Sequence, residues 1–223
     1  MIAVIDYGMG NLGSVSKALE SLGGKVKVTQ RGSDLEKADK IVLPGVGAFQ
    51  DAVNALTEMR LLAPLKHAIS SNKIYLGICL GLELLFEKSV EGGACKGLGV
   101  LKGEVAKFKS DGLKVPHIGW NQIGIKKDNC PLLKGINNDT FFYFVHSYYV
   151  RPEEQGIVTA LTDYGGEFTP LDSILLDSKH LTGQEHLTGF TSMVWKDNLY
   201  AVQFHPEKSQ AAGLKFLENF IRL

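Results

Sequence analysis

The chain has little cysteine and no pattern by which to pair it: Cys79, Cys95 and Cys130 are odd in number and scattered over 223 residues. That excludes a disulfide framework, and the spacing makes no tetrahedral zinc site. An excess of one charge is also missing, because 24 Lys and Arg balance 24 Asp and Glu. Nothing electrostatic therefore argues for nucleic acid or an anionic membrane. The longest apolar stretch, Ile74 to Phe86, is interrupted by Glu83 and is too short to span a bilayer. The opening MIAVIDYG lacks the basic start and cleavage site of a signal peptide and reads as a strand and a turn. A cytoplasmic, reducing location is expected. No linker rich in Pro, Gly and Ser and no internal repeat is found, so one mixed α/β domain is expected over 1–223. At this length the core needs no covalent staple.

What is present is alternation. Short apolar runs at 2–6, 25–30, 40–45 and 74–79 read as strands. Helical patterns fall at 11–23, 48–58, 63–72 and 80–89. Strand–helix alternation predicts a mostly parallel sheet with helices on both faces. Reactive groups then belong at the carboxyl ends of the strands. The second half carries strand-like runs in GEVAKF, NQIGIK, FFYFVHSYYV, GIVTALTDY and LYAVQFHP, and 212–223 reads as a closing amphipathic helix. One stretch, 170–189, has no sustained period and is expected to be an inserted loop.

The run from Gly77 through Cys79 to Gly81 has the logic of a nucleophile elbow. A strand turns sharply into a helix, the nucleophile sits strained at the tip, and the two glycines let the backbones pass closely. Free N–H groups and the helix dipole behind the sulfur favour the reactive thiolate. Far downstream, His205 and Glu207 flank Pro206. In extended backbone residues i and i+2 face the same side. His205 can thus face the thiol while Glu207 orients the imidazole. A glycine-bearing loop, Gly45-Val46-Gly47, follows the 40–45 strand. Its N–H of Val46 or Gly47, with that of Leu80, can serve the oxyanion of a tetrahedral intermediate. His67 lies on a helical pattern and His180 and His186 lie in the aperiodic stretch, so none of them has a comparable context.

DYGMGN (6–11), PGVGAF (44–49), GICLG (77–81), PHIGWN (116–121), YFVHSYY (143–149) and QFHPEKS (203–209) occur in this order. The series resembles the triad-type (class I) glutamine amidotransferases, and more narrowly the glutaminase subunit of imidazole glycerol phosphate synthase. The resemblance covers the chain apart from 170–189. It implies the class I glutamine amidotransferase fold, which is flavodoxin-like, with a mixed, mostly parallel central sheet flanked by helices and an added antiparallel portion. It implies hydrolysis of L-glutamine by Cys79, His205 and Glu207, with no cofactor and no metal. Substrate contacts would come from Gly45, Glu83, His146, Ser147 and Tyr148. A cyclase subunit with a (β/α)₈ barrel would form the heterodimer and receive ammonia through an internal passage. Asn11, Trp120, Asn121, Tyr143 and Lys196 are then interface or gating candidates, and His117 shapes the interface turn.

The chain departs from the family pattern at Glu83, where glutamine is usual. A carboxylate cannot donate a hydrogen bond as an amide does, so altered glutamine use is expected there. Three rival readings remain at this level: a glutaminase serving a surface-polysaccharide sugar amidotransferase, a non-enzymatic scaffold subunit, and a stand-alone cysteine hydrolase.

Overall fold

The computed structural model describes residues 1–109, 113–164 and 189–223. The expected loop at 170–189 lies outside the described residues except for Gly189. The first half runs β1 (Ile2–Ile5), α1 (Leu12–Ser21), β2 (Val26–Thr29), α2 (Gly32–Lys37), β3 (Lys40–Gly45), α3 (Phe49–Glu58), α4 (Leu62–Ser70), β4 (Ile74–Cys79) and α5 (Leu80–Glu83). There follow β5 (Phe86–Ser89), β6 (Cys95–Lys96), β7 (Leu101–Lys107), β8 (His117–Gln122), β9 (Gly124–Ile125), β10 (Phe141–His146) and β11 (Tyr148–Pro152). The last elements are β12 (Val158–Thr162), β13 (Phe190–Lys196), β14 (Leu199–Val202) and α6 (Gln210–Arg222).

All four residues of β1 are buried, which requires cover on both faces of the sheet. Side chains alternate between the faces with period two. Ala3, Ile5, Ile41 and Leu43 pack toward Phe49, Leu56 and Leu65 of α3 and α4. Ile2, Val4, Val42 and Leu76 pack toward Val15 and Leu19 of α1 and Phe216 and Phe220 of α6. Each fully buried Val, Leu, Ile or Phe among them contributes about 1.5–3 kcal/mol.

Among the described residues, twelve strands share one sheet in the order β2-β1-β3-β4-β14-β13-β11-β7-β5-β6, with β12 and β9 attached through β13. The run from β2 to β14 is parallel throughout. The pairs β14–β13, β13–β11 and β11–β7 are antiparallel. Strands β8 and β10 form a separate antiparallel ribbon. The mixed, mostly parallel sheet with an antiparallel portion is the architecture expected. No described helix is long and apolar enough to cross a membrane.

Three local expectations are corrected. The helix read over 80–89 is only α5, four residues, followed by strand β5. Leu84, Leu85 and Phe86 are buried consecutively, and the returning chain at 97–101 donates N–H bonds to carbonyls of residues 84–87. Tertiary pairing there overrides a good helical period. The run read as one strand over 141–150 breaks at Ser147 into β10 and β11, which belong to different sheets. The backbone between His205 and Glu207 is not extended: Pro206–Lys208 is a single 3₁₀ turn.

Candidate active site

Strand register builds the site. β3 pairs with β4 so that Gly45 lies opposite Cys79, and β14 pairs with β4 so that Val202 lies opposite Ile78. The residues leaving β14, Gln203 and then His205, therefore arrive at the carboxyl end of β4 beside Cys79. Cys79 has φ 52° and ψ −108°, a left-handed conformation that costs a non-glycine residue about 1–3 kcal/mol. A Cβ on Gly77 would stand 2.5 Å from the carbonyl oxygen of Gly81, and one on Gly81 would stand 1.9 Å from that of Leu43. Both glycines are required for the elbow to close. The four-residue α5 supplies local N–H groups but little of the dipole a longer helix would bring.

The imidazole of His205 donates from Nδ1 to Oε1 of Glu207 at 2.8 Å, with both side chains buried. Nε2 of His205 is buried, bonds to no other group and has the Cys79 sulfur beside it. Burial alone would lower the imidazole pKa, but the negative charge and hydrogen bonding of Cys79, with those of Glu207, raise it to about 10. The proton thus rests on His205 whenever the sulfur is ionised. Cys79 Sγ lies 3.9 Å from the carbonyl oxygen of Val145, to which the thiol donates, and 3.8 Å from Nε2 of Gln203. The backbone behind His205 is tied to β10: its N–H donates to Tyr143 O at 2.9 Å. Ser209 Oγ accepts from Tyr143 N–H at 3.0 Å and donates to His205 O at 2.6 Å.

A cavity of about 380 Å³ opens over Cys79. Val46, Gly47, Leu80, Glu83, His146, Ser147 and Tyr148 line it, as do Glu91, Pro116, Val145 and Lys208. Gly45 stands just behind, where a Cβ would meet the Tyr7 hydroxyl at 2.4 Å and Leu80 Cβ at 2.8 Å. Glu91, Lys208 and Gln203 were not singled out in the sequence. Lys208 and Gln203 flank the His205–Glu207 motif, and that adjacency is their signal in the sequence. Glu91 is brought in by the turn after β5, which the helical reading of 80–89 concealed.

Glu83 is buried, and Gln203 Nε2 donates to its Oε1 at 2.9 Å. Burial raises its carboxyl pKa to about 8, against the opposing hydrogen bond from Gln203 and helped by the charge of Glu91. Near neutral pH the group is mainly the acid, which carries a donor hydrogen, and not the carboxylate assumed from the sequence.

His146 is committed inward. Its Nδ1 donates to Tyr148 O at 2.7 Å, so Nε2 accepts from His117 Nδ1 at 2.9 Å. His117 Nε2 in turn faces Asn121 Nδ2 at 3.3 Å. Burial lowers the two imidazoles, His146 to about 3 and His117 to about 4, so both are neutral. Asn121 also donates to Asp163 O at 2.7 Å, which spends its amide inside the protein. Trp120 is 46% exposed on the ribbon and stands edge-on to Tyr143 at 6.1 Å. Asn11 precedes α1 without a side-chain cap bond. Lys196 is set apart from these: it pairs with Glu154 at 2.6 Å, and the β13–β14–β4 register places it near Tyr75. That is the end of the sheet opposite Cys79.

The family model for Glutamine amidotransferase class-I matches residues 3–172. Imidazole glycerol phosphate synthase subunit HisH of Aquifex aeolicus is 50% identical over 220 residues, covering 98% of this chain and 95% of its own. Subunit HisH 1 of Campylobacter jejuni subsp. jejuni is 45% identical over 225 residues and 100% of both chains. The chain belongs to the HisH family of class-I glutamine amidotransferases. A crystal structure of a glutamine amidotransferase shares its fold, with a TM-score of 0.70 at 16% identity over 100% of both chains. The class-I match includes Cys79 and ends before His205 and Glu207. The place of those two residues in this HisH-family site rests on the geometry above.

Proposed function

We propose that the chain hydrolyses L-glutamine to glutamate and ammonia with Cys79 as nucleophile, His205 as general base and acid, and Glu207 as its orienting partner. The observation that carries this reading is the buried 2.8 Å bond from His205 Nδ1 to Glu207, which leaves Nε2 free beside a strained Cys79 at the floor of a cavity. Sulfur attacks the side-chain amide carbon while His205 holds the thiol proton. The oxyanion forms against the N–H of Leu80 and that of Val46 or Gly47. His205 returns its proton to the leaving nitrogen, and ammonia departs. Water, deprotonated by His205, then cleaves the glutamyl thioester. Lys208 and Glu91 on the cavity wall suit the α-carboxylate and α-ammonium of the substrate, with Ser147, Tyr148, His146 and Glu83 closing around it.

Ammonia released into water at neutral pH is protonated and lost as a nucleophile. The relatives are named as synthase subunits, and a partner that consumes the ammonia follows. We assign that role to a cyclase subunit with a (β/α)₈ barrel, forming imidazole glycerol phosphate and aminoimidazole carboxamide ribotide in histidine biosynthesis. The full-length identity to synthase subunits favours this acceptor over a polysaccharide sugar. The test is glutamate release by the chain with and without a purified cyclase subunit and its nucleotide ligand. Stimulated turnover that vanishes in Cys79→Ala supports the assignment. Equal turnover without any partner contradicts it.

A further inference from the structure

We propose that Gln203 is a positioning residue for the nucleophile, its amide holding the Cys79 sulfur as thiolate and turned toward His205. The inference rests on the reading of Cys79 as nucleophile and extends it to a residue outside the triad.

Gln203 is fully buried on the chain leaving β14. An amide nitrogen carries two hydrogens and needs two acceptors. Here one hydrogen goes to Oε1 of Glu83 at 2.9 Å and the other reaches Cys79 Sγ at 3.8 Å. The amide oxygen, by contrast, is buried with no partner. An unpaired buried carbonyl is destabilising, so the bonds made by the nitrogen are what hold the amide in this orientation. The amide is oriented by what its nitrogen does, and its nitrogen faces the sulfur. In the thiol form the S–H donates to Val145 O at 3.9 Å, away from the substrate. On ionisation that bond is lost, and the side-chain donors left to meet the charge, beside the backbone N–H groups at the start of α5, are the Gln203 amide and protonated His205. Glu83 anchors the other amide hydrogen and so fixes the direction of the first. Tyr7, Glu83 and Glu91 also act on charge here; none of them is substituted in the variant below, in which Glu83 loses its bond from Gln203.

The test is Gln203→Met, which keeps length and apolar bulk and removes both donors. Alkylation of Cys79 by iodoacetamide, followed by mass spectrometry of its peptide, reads the thiolate without glutamine. Cys95 and Cys130 are buried, and their thiols are pushed up by that burial, so they react slowly. The expected result is a rate about tenfold or more lower near neutral pH, with the pH profile displaced upward. Partner-stimulated kcat falls by a similar factor while the glutamine KM stays within about threefold. A merely structural role would lower Tm and leave the alkylation profile in place. A folded Gln203→Met with the wild-type alkylation profile overturns the proposal. If that variant does not fold, the wild-type chain decides. The Gln203 side-chain amide resonances must move when Cys79 is alkylated, and resonances that stay put overturn the proposal. Absence of glutaminase in the wild-type complex would instead sink the underlying assignment.

Discussion

Glu83 is a residue whose charge is decided by where it is buried. Its carboxyl pKa is raised from 4.5 to about 8, so the folded state binds its proton more tightly than the unfolded state. The stabilisation this gives is full below the unfolded value and is lost as pH rises through the folded one. Glu83→Gln should therefore gain Tm relative to wild type as pH is raised from about 5 to about 9, a difference that thermal melts at matched ionic strength will show. The same titration should raise the glutamine KM of wild type above about pH 8, because the donor hydrogen disappears and a buried negative charge faces the cavity. Glu83→Gln should flatten that limb, and identical KM profiles for the two proteins would remove Glu83 from substrate binding. The departure at this position was legible in the sequence. Its consequence was not, because a residue name carries no protonation state. Cys79 was legible through its glycines, since close backbone passage demands them whatever the rest of the chain does. Glu91 was not, since nothing local marks a carboxylate that a turn will deliver to a cavity.

At the scale of elements, the elbow and the turn at Pro206–Lys208 hold the chemistry. Gly81→Ala would drive a methyl to 1.9 Å from the Leu43 carbonyl, which β3 and β4 cannot relieve without breaking register. A loss of about 3 kcal/mol or more, or failure to accumulate folded protein, is expected in denaturant titrations. Ser209 is the clasp between that turn and the ribbon, bonded to both Tyr143 and His205. Ser209→Ala should cost about 1–3 kcal/mol, the penalty for stranding the Tyr143 N–H, while the His205 carbonyl keeps its bond from the Lys208 N–H. It should also lower kcat more than it raises KM, as steady-state kinetics of the complex will read. The parallel half of the sheet was readable because strands buried on both faces are short, apolar and spaced by helices. Strand β5 was not, because its pairing with β7 and β6 comes from residues ahead of it in the chain. The His205–Glu207 contact forms through a tight turn and not through the extended backbone that the i, i+2 spacing suggests, because Pro206 opens a 3₁₀ turn.

At the scale of the whole molecule, the ribbon of β8 and β10 presents Ile118, Trp120 and Phe141, each about half exposed. Its inner edge touches the chemistry through Tyr143, Val145 and His146. A partner docking on that face would press on the strand that holds both His205 and Cys79. Trp120→Ala is therefore expected to weaken partner binding by about tenfold or more, a typical cost for a central interface aromatic, with the fold intact by circular dichroism. Lys196, at the opposite end of the sheet, should tolerate Ala without change in binding. Isothermal titration with the cyclase subunit reads both.

The central claim is tested most directly by trapping the covalent intermediate. The complex is quenched in acid during glutamine turnover, and its peptides are weighed. A glutamyl thioester on Cys79, absent in Cys79→Ala, is the expected result. Glutamine turnover that persists undiminished in Cys79→Ala, or an adduct on any other residue, would contradict the account.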